Sequence, residues 1–284
     1  MRELELCVLC GGPKSGFRPF MEKSGYKIVR CAACSLVFVN PRDEAAALLS
    51  QYGDNRSSPA AYYEATAGED RQNALKILEI VNKHCGKGEI LDVGCNVGTF
   101  LESARDKGWK PQGVDANPQA IAACAKKGIR AAKGFFGEEK IAELDRQTFD
   151  LISMNDTLEH FQDPKEVLRQ AGAHLKPGGG ISLLTPNLES FLARMFQIKP
   201  KEHLFYFSLA TLSKMLQETG FKVLHAAEWS RRRNVGAMHL GASFENPLWA
   251  SVSKFLQISR LDGIVNVALE AMFREQIYIL AKKA

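Results

Sequence analysis

Four cysteines near the start of the chain, Cys7, Cys10, Cys31 and Cys34, stand as C-x2-C-x20-C-x2-C. Paired CxxC turns about twenty residues apart suit four thiolates set tetrahedrally around one Zn2+. Gly11-Gly12 lets the backbone turn tightly after the first pair. Two redox-active dithiols are the alternative chemistry for the same spacing. The other three cysteines, Cys85, Cys95 and Cys124, are scattered among helix and strand patterns.

A second constellation is Glu89-Ile-Leu-Asp92-Val-Gly94-Cys95-Asn96-Val-Gly98, an apolar strand running into a glycine turn and then a helix. Gly94 and Gly98 leave room for a ligand against bare backbone, and Asn96 between them tolerates a positive φ. The glycines are four apart, so the dinucleotide pattern G-x-G-x-x-G is absent, as is the phosphate-cradling GxxxxGK[ST]. Twenty-three residues after Asp92 the next strand ends in Gly113-Val114-Asp115. A carboxylate at that strand end accepts both hydroxyls of a ribose. Glycine turn and acid together call for a nucleoside, and one without the pyrophosphate of NAD or ATP. Simple turn and strand-end structure is the plainer explanation of each residue taken alone.

Elements must position these groups. Strands are expected at Tyr26–Arg30 and Leu36–Val39 in a zinc ribbon covering residues 1–41. A helix from Asp43 to Tyr52, a polar loop Gly53–Pro59 and a helix from Ala61 to Cys85 form a linker or lid over 42–86. From 87 to 284 the pattern alternates, with strands at Glu89–Val93, Lys110–Asp115, Ile129–Lys133, Phe149–Met154 and Gly180–Thr185. Helices fall at Val97–Lys107, Asn117–Lys127 and Pro164–Leu175, and Lys176–Gly180 reads as the turn into the fifth strand. A helix Ser208–Thr219 and strands Phe221–Glu228 and Gln276–Ala281 follow. The insertion at 230–272 carries Trp249, Phe255, Leu261 and Val265 as expected core or pocket wall. Short apolar strands alternating with amphipathic helices predict an α/β fold with a mostly parallel sheet covered on both faces.

The chain has 284 residues, 45% hydrophobic and 24% charged, ordinary for a globular protein able to bury a core. No apolar run reaches the roughly 18 uncharged residues of a spanning helix, and the first residues lack a signal-peptide profile. A cytoplasmic protein is expected. The formal charge of +5 falls to about +3 once four thiolates and a zinc ion are counted. Such a balance argues against nucleic acid as a partner. The one basic run, Arg231-Arg232-Arg233, reads as a solvated loop.

The motif ILDVGCNVGTF resembles the first motif of the class I S-adenosylmethionine-dependent methyltransferases, with Asn96 in place of the usual middle glycine. GVDANP resembles their ribose-binding strand. The segment FDLISMNDTLEHFQDPKEVLRQAGAHLKPGGGISLLTPN is similar to the subgroup that includes the ubiquinone-pathway O-methyltransferases. The ribbon with RCAACSLVFVNPR, and KEHLFYFSLATLSKMLQETGF, resemble a zinc-ribbon subset that includes deoxysugar C-methyltransferases and enzymes of glycan or natural-product pathways. The resemblance implies a Rossmann-like seven-stranded sheet of order 3-2-1-4-5-7-6 with helices on both faces. Carried over residue by residue, Asp92, Gly94, Cys95, Asn96 and Gly98 form the cofactor turn, the first two lining the methionine end. Asp115 holds the ribose, Ala116, Phe135 and Phe136 flank adenine, and Asn155 faces the transferring methyl.

Methyl transfer to an oxygen or carbon needs alignment, exclusion of water and often removal of a proton. His160, just past the fourth strand, suits that task, with capping of the helix at Gln162-Asp163-Pro164 as its structural alternative. His203 and Tyr206 follow the fifth strand, where this fold places acceptor contacts, though Tyr206 also suits ordinary packing. In some relatives an acid-x-x-Glu-His set binds a divalent metal, which makes Asp156, Glu159 and His160, with His203 as a fourth ligand, a rival expectation. The function expected is methyl transfer to a small-molecule acceptor such as a sugar, glycan or natural-product intermediate. An RNA methyltransferase using the ribbon as a clamp, and a non-catalytic cofactor-binding module, are its competitors.

Overall fold

The structure, a computed structural model, describes residues 1–44, 60–234, 247–259, 265 and 274–284. The chain begins with an antiparallel sheet of β1 (Phe17–Lys23), β2 (Tyr26–Cys31) and β3 (Val37–Val39). β1 is additional to the expected strands. Only its three half-buried residues face inward and Pro19 interrupts it, so it carries no apolar run. The four cysteines sit on the turns at one end of this sheet. The expected helix Asp43–Tyr52 and loop Gly53–Pro59 fall almost wholly outside the described residues.

Helix α1 (Ala60–His84) buries Ala74, Ile77, Leu78 and Val81 against the large sheet and helix α2 (Thr99–Asp106). Burying a side chain such as Leu78 contributes ~1.5–3 kcal/mol. The large sheet comprises β4 (Glu89–Val93), β5 (Lys110–Asp115), β6 (Arg130–Lys133), β7 (Phe149–Asn155), β8 (Leu175–Pro186), β10 (Phe221–Trp229) and β11 (Gln276–Lys283). β9 is Phe205–Tyr206, which joins the N-terminal sheet beside β3. The order β6-β5-β4-β7-β8-β11-β10 is the expected 3-2-1-4-5-7-6, with β11 antiparallel to both of its neighbours.

Both faces are covered, which is why the strands are nearly continuous in apolar residues. Ile90 and Leu151 pack beneath α1 and α2, while Leu91 and Ile152 join the opposite cluster with Val167, Leu168, Leu212 and Leu216. Those last four lie on helices α4 (Pro164–Ala173) and α6 (Leu209–Glu218). Helix α3 (Pro118–Lys126) precedes β6, and the short α5 (Phe191–Phe196) lies between α4 and α6 in the chain. Helix starts follow local chemistry. Asn117 accepts from Gln119 N ahead of Pro118, Asp163 accepts from Lys165 N and Glu166 N ahead of Pro164, and Ser208 with Thr211 forms a capping box.

Three expectations are corrected. Lys176–Gly180 is not a free turn: Leu175–Pro186 is one strand, and the glycines form an irregularity in its pairing with β7, where Phe149 faces Leu175 and Leu151 faces Gly180. Within the insertion, helix α7 (Pro247–Ser259) turns Phe255 to solvent with 63% exposure rather than into a core. Val265 is half-buried, whereas Leu261 lies outside the described residues. The Arg231–Arg233 run is no solvated loop. Asn73 of α1 exchanges two hydrogen bonds of 2.9 Å with the Arg232 backbone, and Arg233 reaches Glu275 at 2.8 Å. Among the described residues, no helix is long and apolar enough to cross a membrane.

Candidate active site at the strand ends

β4 has β5 on one side and β7 on the other, so the chain reverses direction across the sheet at this point. Open α/β sheets bind ligands in the crevice outside such a reversal. A cavity of about 430 Å3 opens there, within the range of small-molecule sites. Its lining includes Asp92, Gly94, Cys95, Asn96, Asp115, Ala116, Phe135, Phe136, Asn155 and His160.

The turn after β4 is built on left-handed backbone, with φ of 75° at Gly94, 48° at Asn96 and 77° at Gly98. Asn substitutes for the usual glycine because its short polar side chain tolerates that region. Gly94 has no such freedom: a Cβ there would lie 2.5 Å from the Thr157 hydroxyl oxygen. Val114 O accepts from both Gly94 N and Cys95 N, at 2.8 and 3.1 Å. Asp115 then fixes the turn from the side. Its Oδ2 accepts from Asn96 N and its Oδ1 from Asn117 N, each at 2.8 Å. Each carboxylate oxygen keeps a further lone pair for a ligand hydroxyl.

Asp92 is buried beneath this turn and accepts a 2.6 Å hydrogen bond from Ser153 Oγ. Burial pushes its carboxyl up to about 7, against the pull of the Ser153 hydroxyl. Burial also raises Asp115, whose two backbone N–H donors oppose the shift. Phe135 packs on Phe161 with ring centroids 5.3 Å apart, and Phe136 packs on His174 at 5.8 Å. At the end of β7, Asn155 Oδ1 is buried and has no hydrogen-bond partner among the described residues. An oriented acceptor without a partner at the cavity wall is suited to a ligand donor.

His160 follows on a single 3-10 turn, Leu158–His160. Its Nδ1 lies 2.9 Å from Glu202 O, and its ring meets that of His203 edge-on at 4.8 Å. Burial lowers the His160 pKa below the ordinary value, leaving the imidazole neutral near pH 7. Capping of α4 is done by Asp163, not by His160. His203 and Tyr206 are not in the cavity lining. His203 is buried behind His160 with Nδ1 on Gln197 O at 2.9 Å, while Tyr206 packs against Ile28, Val37 and Val39 of the N-terminal sheet.

The acid-x-x-Glu-His set is split by the fold. Ligand atoms of Glu159, His160 and His203 lie within 4.8 Å of one another. Asp156 is elsewhere, engaged by Arg231 Nη1 at 2.7 Å and by the Gln276 amide. Arg231 also reaches Asp70 of α1 at 2.7 Å, and Tyr62 and Tyr63 bring the start of that helix to the cavity wall. Sequence reading missed Tyr62, Tyr63, Asp70, Thr157, Phe161 and Arg231. Only the basic run hinted at any of them.

At the other end of the chain the four ribbon sulfurs lie within 4.8 Å of one another, with Cys7–Cys34 and Cys10–Cys31 each 3.6 Å apart. Tetrahedral thiolates at the usual Zn–S length stand about 3.8 Å apart, so the donor set fits the ion.

The model of a methyltransferase-domain family matches residues 63–226, more than half of the chain. The chain belongs to that family. It is a class I S-adenosylmethionine-dependent methyltransferase. This methyltransferase is 29% identical over 161 residues to a ubiquinone biosynthesis O-methyltransferase of Aliivibrio fischeri, covering 51% of this chain and 68% of that protein. In fold it is similar to a SAM-dependent methyltransferase from Archaeoglobus fulgidus, with a TM-score of 0.53 at 21% identity over 75% of this chain and 94% of that one. It is similar too to Haemonchus contortus phosphoethanolamine N-methyltransferase 2, solved with S-adenosylmethionine, with a TM-score of 0.52 at 16% identity over 75% and 52%.

Proposed function

We propose that this methyltransferase transfers a methyl group to a hydroxyl oxygen of a small molecule, with His160 taking the hydroxyl proton. The observation that carries the reading is the shared cavity. Asp115, residues 94–97 of the turn, Asn155 and His160 all border it, from the ends of three adjacent strands, whereas the expected Gly98 is outside the lining and backs onto Cys124. Asp115 and Asn155 end the two strands that flank β4, so they stand on either side of the glycine turn.

In this reading Asp115 accepts the ribose hydroxyls, Phe135, Phe136 and Ala116 enclose the adenine, and Asp92 with Gly94 borders the methionine portion. S-adenosylmethionine supplies an electrophilic methyl carbon. Asn155 orients the group beside it, and α1, through Tyr62 and Tyr63, acts as the lid that excludes water. An acceptor hydroxyl beside His160 would give its proton to the neutral imidazole as its oxygen takes the methyl group that S-adenosylmethionine would supply. Of the sugar, glycan and natural-product classes, the ring-rich wall of Tyr62, Tyr63 and Phe161 favours a planar natural-product phenol. The O-methyltransferase relative supports an oxygen acceptor. The four cysteines hold a structural Zn2+ in the ribbon.

A second reading is favoured by the Glu159–His160–His203 cluster. Glu159 Oε1 is buried and has no partner among the described residues, while its Oε2 accepts from Thr185 at 2.9 Å. These donors fit a divalent ion that would polarise a hydroxyl. Radiolabel transfer from S-adenosylmethionine to a panel of phenols, sugars and RNA, before and after chelation, tests both readings. Transfer to no phenol overturns the first, and transfer unaffected by removal of all but the ribbon metal overturns the second.

A further inference from the structure

We infer that the ribbon is part of the acceptor-side machinery, with Arg42 as the positioning residue that couples it to the loop bearing His160. The importance of that loop for transfer rests on the reading above. The coupling itself stands on the fold.

The N-terminal sheet does not end with the ribbon. Its fourth strand, β9, comes from far along the chain, pairing Val37 with Tyr206, 169 residues on, and Phe38 with Phe205, 167 residues on. The residues just before β9 hold the loop directly. Val39 N donates to Leu204 O at 2.9 Å, and Leu204 N donates to Glu159 O at 2.8 Å. Glu202 O receives His160 Nδ1. A continuous backbone path therefore runs from the cysteine turns through β2, β3 and residues 202–204 to the imidazole.

Arg42 sits at the junction, wholly buried where the ribbon ends. Its guanidinium carbon lies 4.7 Å from the centre of the Phe205 ring, and its Nη1 donates to Gln162 O at 3.2 Å. Gln162 Nε2 returns a 2.8 Å bond to Asp43 O. The Nε and Nη2 atoms of Arg42 have no partner among the described residues. A buried cation with unmatched donors is a poor stabiliser, and apolar replacement of such groups is often neutral or favourable. What the arginine contributes is the setting of residues 159–162 against β9.

The test uses the full chain with Arg42→Met and Arg42→Lys, and follows amide hydrogen exchange without ligand. In Arg42→Met the Leu204 amide exchanges at least about tenfold faster, while the Gly94 and Cys95 amides of the cofactor turn stay within about twofold. Arg42→Lys keeps a cation over Phe205 but loses the Nη1 bond to Gln162 O, and falls between. S-adenosylhomocysteine affinity of both variants stays within about threefold of the parent. Unchanged exchange at Leu204, or equal acceleration at Leu204, Gly94 and Cys95, overturns the proposal. If Arg42→Met does not fold, Arg42→Lys alone decides it by the same comparison. Failure of the parent chain to bind S-adenosylhomocysteine would contradict the methyl-transfer reading only, because the exchange measurement uses neither cofactor nor acceptor.

Discussion

The guanidinium of Arg231 is bonded to Asp156 at 2.7 Å across 75 residues of sequence. With Asp70 at the same distance on its other side, it ties α1 to the end of β7 at the mouth of the cavity. The side chains are about one-third exposed, so the pair is neither a surface bridge nor a dry one.

Removing the cation leaves two carboxylates facing each other. Arg231→Ala is expected to lower stability by about 2 kcal/mol, midway between exposed and buried pairs, and to weaken S-adenosylmethionine binding by loosening Tyr62 and Tyr63. Adding Asp156→Asn restores part of the melting temperature. A double variant no more stable than the single one would show that charge repulsion is not the cause.

Asp92 makes stability depend on pH. Its folded pKa of about 7 lies above that of an unfolded aspartate, so between about pH 4 and 7 the folded state holds the extra proton. The resulting stabilisation is complete below pH 4 and is lost as pH rises through 7, a change of at most about 4 kcal/mol. Asp92→Asn removes this slope. Melting curves from pH 5 to 8 are expected to show the variant gaining several degrees on the parent, and parallel curves would contradict the assignment.

The cysteine cluster is expected to carry one equivalent of zinc, released by mercurial titration. Because metal binding and folding of such a ribbon are coupled, Cys31→Ser lowers the melting temperature by several degrees instead of affecting transfer alone. A variant with full zinc content and normal melting would rule the ribbon site out.

Much of this was readable locally. The caps at Asn117-Pro118, Asp163-Pro164 and Ser208 mark helix starts within a few residues, and the Gly94–Gly98 turn declares a ligand against backbone. What could not be read depends on distant partners. Phe205–Tyr206 is a strand only because β3 lies beside it, and two residues carry no periodicity. Arg231 looked solvated because its acids, Asp70 and Asp156, are 161 and 75 residues away. The same pairing withdrew Asp156 from the expected metal set. Tyr206 reads equally as acceptor contact or packing from sequence, and its alternation within the β3–β9 pair decides for packing.

In the proposed reading His160 takes the hydroxyl proton only when neutral. Its lowered pKa predicts transfer that rises with pH to a midpoint below 6.5 and is flat above it. His160→Ala is expected to reduce kcat by about 100-fold or more, with little change in KM for S-adenosylmethionine. Equal kcat in variant and parent would remove the residue from the chemistry.

Calorimetric titration with S-adenosylhomocysteine tests whether the cavity beside Asp115 holds the nucleoside of S-adenosylmethionine. Micromolar binding to the parent chain is expected, with affinity weaker by about ten- to a hundredfold in Asp115→Ala, the worth of one or two charged hydrogen bonds. No binding by the folded, zinc-loaded parent, or equal binding by both, would contradict it.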